Sequence, residues 1–322
     1  MIVKPKSTPP SNLNDYISTA STFGLSSAEV PAFNFWFNFK THSHNILVLL
    51  NSLLNFTSRM GRIFITGSSD GIGLLAAKEL VSKGHTVYLH ARNAQRAIGA
   101  RKACPGAADV LLGDLTSIEE MKALASSLLK LGPLDCIFHN AGLYLGPFRA
   151  QAEGYPAVFA VNVLAPYILT CLAPLPKRLI YASSGSHWGG TTSLDDFGWR
   201  ERGKTGRFSE SSAYADTKLY NTMFGYAFAR LFASRGLEAA HSIDPGWVPT
   251  KMGGTAATGD LNESVRMYVI LAEGSGEAKG KTGCFWENGK KGPAQSKEDA
   301  CDQKAQDALL KKLEEVAGVS VP

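Results

Sequence analysis

A strand that runs into a glycine-rich turn and straight out into a helix constrains this chain more than any other feature. Residues 62–66 (RIFIT) form a short apolar run. Thr66-Gly67-Ser68-Ser69-Asp70-Gly71-Ile72-Gly73 follows, and then the helical stretch LLAAKEL. Three glycines in this setting allow a tight turn, close approach of backbone to a pyrophosphate, and close helix–strand packing. The helix N-terminus offers N–H donors and the positive end of a dipole to phosphates. The motif points to a dinucleotide held by the turn.

The rest of the chain from Met60 onward keeps this alternation. Apolar runs occur at 62–66, 86–90, 110–112, 136–138, 178–182, 239–243 and 283–286. Most are continuously apolar, as strands buried on both faces of a parallel sheet must be. Helical patterns lie between and after them, at 72–83, 93–104, 117–131, 158–172, 212–234, 261–271 and 297–316. The order predicts an α/β fold, a doubly wound parallel sheet of about seven strands. The polar stretch 185–211 is long for a loop, and such loops are usually functional or flexible.

Composition removes several alternatives. Hydrophobic residues are 44% and charged residues 19%, which excludes a disordered, collagen-like or coiled-coil chain. The formal charge of +5 is spread without a dense basic stripe, so nucleic acid is not an expected partner. Five scattered cysteines without a CxxC pair disfavour a disulfide scaffold or zinc site, and a reduced, cytoplasmic compartment fits them. No run reaches the ~18–20 apolar residues of a membrane span; the nearest, 46–56, is too short.

Two further clusters carry chemistry. At the end of the second strand, His90-Ala91-Arg92-Asn93-Ala94-Gln95-Arg96 has no acid to hold a ribose diol. Arg92 and Arg96 instead suit a 2′-phosphate by charge and fork geometry, which favours NADP(H) over NAD(H). Tyr214-Ala215-Asp216-Thr217-Lys218 puts a phenol and an ammonium on one helical face. An adjacent ammonium favours the phenolate. Such a pair arises by chance about once in a chain of this size, so its weight comes from its companions. These are Ser183-Ser184 after the strand RLIYA, Asn162 in FAVNVLAPY, and Asn140-Ala141-Gly142 after CIFH, placed where open α/β sheets bind ligands.

The order TGxxxGIG, NAG, Asn162, Ser184, YxxxK and Asp244-Pro245-Gly246-Trp247-Val248-Pro249-Thr250 resembles the short-chain dehydrogenase/reductase family from about Met60 to the C-terminus. The turn is similar to that of the family's compact branch. The resemblance implies a Rossmann fold and a reaction between a carbonyl and an alcohol. It implies Tyr214 as general acid/base, with Lys218 lowering its pKa and binding the ribose hydroxyls. Ser184 would hold the substrate oxygen, and Asn162 would anchor a water that links Lys218 to solvent. Asn140 would support the neighbouring strand, and Asp114-Leu115 would border the adenine. Thr250 and the turn before it, Pro245, Gly246 and Val248, would face the nicotinamide carboxamide.

Three departures stand out. Thirty positions separate Ser184 from Tyr214, more than in many members, which leaves Ser183 and Ser186 as rivals of Ser184. That spacing is similar to retinol-dehydrogenase-like and carbonyl-reductase-like members. Asp244 precedes Pro-Gly where the family often has Asn or His. Asp70 stands in the glycine turn where some NADP-preferring members carry a basic residue. SSGSHWGG, YADTKLYNT and DPGWVPTKMGG also resemble ketoreductases of the daunorubicin C-13 type.

The expected partner is a small, apolar carbonyl or alcohol substrate, in a pocket walled by 185–211, with Trp188 and Trp199, and by the loop after Trp247. A homo-oligomer is compatible with this reading, and a non-catalytic dinucleotide sensor on the same fold is its alternative. Residues 1–59, rich in Ser, Asn and Phe, show no strand–helix alternation. They read as a disordered extension or an upstream stretch wrongly translated from a gene model; a membrane tether built on 46–56 is the functional alternative. A chain starting at Met60 is expected to fold, bind NADPH and turn over like the full chain. Thermal melts and NADPH oxidation by the two proteins check this, and loss of either property would show that the extension packs on the domain.

Overall fold

The computed structural model describes residues 60–144, 146–150 and 154–322. The expectations for 1–59, including the run 46–56, lie outside the described residues.

Seven strands form one sheet: β1 (Arg62–Ile65), β2 (Thr86–Ala91), β3 (Asp109–Leu112), β4 (Cys136–His139), β5 (Arg178–Ala182), β6 (Ala239–Asp244) and β7 (Cys284–Glu287). Every pairing is parallel and the order is β3-β2-β1-β4-β5-β6-β7. Each predicted strand is present, with no end moved by more than one residue. The two halves wind outward from the seam where Ile65 lies beside Phe138. A crevice opens at such a seam beyond the carboxyl ends of the strands.

The helices are α1 (Gly71–Ser82), α2 (Ala94–Ala103), α3 (Ile118–Leu131), α4 (157–172), α5 (Arg200–Lys204), α6 (Glu210–Leu231), α7 (Leu261–Glu273) and α8 (Gln303–Ala317). Strand residues alternate between the two faces of the sheet. Ile63 and Ile65 of β1 join Ala76 and Leu80 of α1 and Met267 and Leu271 of α7 on one face. Phe64 joins Leu124 of α3, Ile168 of α4, Phe224 of α6 and Leu313 of α8 on the other. This two-sided burial is why the strands read as unbroken apolar runs.

Three local features depart from the sequence pattern. Within α4, Ala160–Leu164 form a π turn, and the Asn162 carbonyl accepts a 2.6 Å bond from the Asn221 side chain of α6. The C-terminal helix begins later than periodicity suggests. Asp302 caps it by accepting from Lys304 N and Ala305 N, leaving Glu298–Cys301 as a separate 3₁₀ turn. The stretch 185–211 contains the 3₁₀ turns Gly185–Gly189 and Phe197–Trp199 as well as α5. It is tied to the middle of the YxxxK turn: Asp216 accepts 2.8 Å from Thr191 N and 2.7 Å from Trp199 Nε1.

The sheet buries histidines in their neutral form. Burial brings His139 of β4 down to about 3 and His241 of β6 down to about 4, and it also lowers His90 of β2. The unfolded chain binds these protons near pH 6.5, before the folded one does, so stability rises with pH between the two values. Stability is therefore fully present above about pH 6.5 and falls as the pH drops from there toward 4, by up to about 1.4 kcal/mol per pH unit for each such histidine. Urea unfolding midpoints at pH 7.5, 6 and 5 measure this, and a midpoint that held constant would contradict it.

Candidate active site

The crevice at the β1–β4 seam is a groove of about 430 Å³. Its floor begins at Gly67, whose φ is +63°. A Cβ there would stand 2.8 Å from Ala141 Cα, so only glycine lets the two backbones pass. Gly73 is similarly constrained, since a Cβ would meet Asn140 Nδ2 at 2.4 Å. Asn140 Nδ2 donates 2.8 Å to Thr66 O, and Ala141 N donates 3.0 Å to Thr66 Oγ1, which bind the ends of β4 and β1 together. Asp70 caps α1 by accepting from Gly71 N, so the first helical turn faces the groove.

Most residues expected to hold a dinucleotide line this groove: Gly67, Ser69, Asp70, Gly71 and Ile72; Arg92 and Arg96; Asp114 and Leu115; Asn140, Ala141 and Gly142; Tyr214 and Lys218; Pro245 and Thr250. Gly73 packs beneath it, while Gly246 and Val248 line the adjoining cavity. Arg92 is exposed and makes no hydrogen bond or ion pair among the described residues. Arg96 is engaged, donating 3.1 Å to Ser69 Oγ with its NH2 atom 3.5 Å from Asp70 Oδ2.

Of the groove residues not singled out in the sequence, two make polar contacts that shape it. Lys251 forms an ion pair with Asp70, and that hydrogen bond, aided by Arg96, holds the Asp70 carboxyl below the usual range despite some burial. The basic group missing from the glycine turn thus arrives from the loop after β6. His90 is the second. Gly67 N donates 3.0 Å to its Nδ1, so Nε2 carries the proton and donates 2.9 Å to Gly113 O. Its position two residues before Arg92, at the carboxyl end of β2, was the available signal.

A second cavity of about 510 Å³ adjoins the groove and shares Tyr214, Ser183, Ile72, Pro245, Thr250 and Met252 with it. Ser184 lines only this cavity, and so do Tyr144, Asp244 and Trp247. Among the three candidate serines, Ser183 is buried and occupied, its hydroxyl bonded to Lys218 O and Thr222 Oγ1 at 2.8 Å each. Ser184 caps the turn Gly185–Gly189 and hydrogen-bonds Tyr214. Ser186 lines the cavity, with its N–H donated to Ser184 Oγ at 3.2 Å. Trp188 and Trp199 do not line it; Trp199 is buried on Asp216.

Tyr214 and Lys218 lie one turn apart on α6. Lys218 is 4% exposed and donates 2.8 Å to Ala182 O, with Nζ 5.4 Å from the centre of the Tyr214 ring. Burial brings its ammonium down to about 8, against the field of Asp244, which raises it. Burial pushes the Tyr214 phenol up to about 12; the Ser184 hydrogen bond lowers it, while Asp244 and Tyr144 raise it. Desolvation outweighs the Ser184 hydrogen bond, so Tyr214 is a phenol at neutral pH. The Asn162 side chain lies near Lys218, since a Cβ on Gly142 would stand 3.6 Å from Asn162 Oδ1 and 3.5 Å from Lys218 Nζ. It accepts 2.8 Å from Leu143 N and donates 3.0 Å to both Leu143 O and Thr217 Oγ1, tying the 141–144 loop to α6.

The chain's similarities fit this architecture. The family model described as short chain dehydrogenase matches residues 62–186. An uncharacterized oxidoreductase of Emericella nidulans is 47% identical over 268 residues, spanning 82% of this chain and 99% of that protein. The short-chain dehydrogenase chyC of Penicillium rubens is 42% identical over 263 residues, 82% of this chain and 100% of that protein. A solved short chain dehydrogenase from Shigella flexneri, complexed with NADP, is 26% identical with a TM-score of 0.53, covering 71% of this chain and 97% of that one. With relatives matched along nearly their whole length and a parallel seven-stranded sheet split at a glycine turn, the chain belongs to the short-chain dehydrogenase/reductase family of oxidoreductases.

Proposed function

We propose that the protein is an NADP(H)-dependent reductase of an apolar carbonyl compound, able to run in reverse on the alcohol. The observation that carries this reading is the shared wall: Tyr214 borders both the groove and the cavity that contains Ser184. NADPH suits the groove because the turn through Gly67 and Gly71 brings backbone to its lining, and because Arg92 offers a 2′-phosphate a guanidinium without a partner among the described residues. When bound, NADPH supplies the hydride.

The protein's own part is proton transfer and charge stabilisation. Tyr214, a phenol at neutral pH, donates its proton to the carbonyl oxygen as negative charge develops there. The Ser184 hydroxyl donates a hydrogen bond to the same oxygen. Lys218, cationic below about pH 8, places positive charge beside Tyr214 as the phenolate forms. Carbonyl, hydride and proton together give the alcohol. Lys218 is also the residue for the ribose hydroxyls, with Asp114 and Leu115 at the adenine end.

The cavity supports an apolar substrate, since Tyr144, Trp247 and Met252 line it with exposed apolar surface. A cytoplasmic setting agrees with five free thiols at Cys104, Cys136, Cys171, Cys284 and Cys301. Among the described residues no helix is long and apolar enough to cross a membrane.

Tyr214→Phe removes the proton donor while keeping the ring. Turnover should fall by about 100-fold or more with NADPH binding nearly unchanged; steady-state rates and fluorescence titration of NADPH measure both, and full activity would refute the assignment. Arg92→Ala should weaken NADPH about 10- to 100-fold and NADH little, the loss expected for one charge-assisted pair. Equal weakening of both cofactors would show that Arg92 does not read the phosphate.

A further inference from the structure

Among the described residues, the cavity beside Tyr214 is bordered by one charged side chain. Its polar lining is Ser183, Ser184, Ser186, Thr250, Tyr214 and Asp244, and no lysine or arginine borders it. Asp244 ends β6. Its Oδ1 accepts 2.9 Å from Gly246 N, and Gly185 N also bonds the carboxyl. A carboxylate has about four lone-pair sites, so two bonds leave acceptor capacity toward the cavity. A Cβ on Gly185 would stand 3.1 Å from Asp244 Oδ2, so that oxygen lies against the residue that follows Ser184.

We propose that Asp244 determines substrate specificity, selecting uncharged ketones that carry a hydroxyl on the carbon next to the carbonyl. The proposal rests on the reductase reading above. Ser184 fixes the carbonyl oxygen, and the neighbouring carboxylate oxygen then faces a donor a few ångströms away. Donor recognition by a buried charge discriminates strongly, because a substrate without the donor leaves that charge unpaired. A carboxylate on the substrate meets a like charge, while Lys218, the cation that feels the Asp244 field, lines the groove rather than this cavity. The apolar rim of Tyr144, Trp247 and Met252 accommodates the rest of the molecule. Burial raises the Asp244 carboxyl, while the Gly246 and Gly185 N–H groups favour its charged form.

The test compares kcat/KM for three matched aryl ketones with NADPH: 2-hydroxyacetophenone, 2-methoxyacetophenone and benzoylformate. Wild-type protein should prefer the hydroxy ketone over the methoxy ketone by about 10-fold or more, and over the keto acid by about 100-fold. Asp244→Asn keeps an acceptor for Gly246 N. It should bring the keto acid at least 10-fold closer to the hydroxy ketone and shrink the hydroxy–methoxy ratio to a few-fold. A purely structural role would lower all three efficiencies together and leave the ratios unmoved, which would overturn the proposal. Wild-type efficiencies that are equal across the three would overturn it without any variant. Absence of turnover on all three would overturn the reductase reading, and this proposal with it.

Discussion

Two backbones pass so closely at one point that a single methyl group would separate them. Gly67, leaving β1, meets Ala141, leaving β4, at a distance no Cβ could tolerate. That contact keeps the two halves of the sheet together at their carboxyl ends while the chain winds away from it on both sides. Asn140 bridging to Thr66 O and Gly67 O reinforces it, and the neutral His90 ring joins Gly67 to Gly113 at the end of β3. The groove exists because these bonds hold three loops in place around it. Glycine is required here by space as well as by φ.

Burial then sets the chemistry. Tyr214 and Lys218 are driven in opposite directions on their scales by the same cause, desolvation of the charged form. A phenol high on the scale gives up its proton only to a strong base, such as an oxygen acquiring negative charge. An ammonium low on the scale is less strongly held as a cation, and Asp244 counters that by favouring its charge. The three side chains come from α6 and β6, packed against each other beneath the cavity. Asp216, inside the YxxxK turn, anchors 185–211 to the same helix, so the segment that separates Ser184 from Tyr214 in sequence is fastened where the two meet.

The sheet was legible in the sequence because a parallel strand buried on both faces must be apolar throughout, and 178–182 matches Arg178–Ala182 at both ends. Helix ends were less legible. Asp302 resets the start of the last helix through a side-chain cap, a local choice that periodicity does not register. Near Asn162, Pro166 has no N–H to return to the Asn162 carbonyl, which takes its donor from Asn221 across the packing instead. At the site, the motif residues converge on the groove and its neighbouring cavity, but their ionisation was not legible. Spacing places an ammonium near a phenol, and only packing tells how much water each has lost. Lys251 and His90 escaped notice for a related reason: one acts across 181 positions and the other through backbone groups.

Charge is distributed unevenly along the crevice, and this orders what can bind where. Arg92, Arg96 and Lys251 gather at the end beside the glycine turn, with Asp70 neutralised between the latter two. At the opposite end the cavity holds Asp244 and no cation. An elongated anion laid in the crevice with its phosphates at the glycine turn has its charge near guanidinium and ammonium groups and away from the carboxylate. The reverse orientation would bring phosphate toward Asp244 and leave Arg92 unmatched. The charge pattern of the crevice thus favours one direction for an elongated anion over the other.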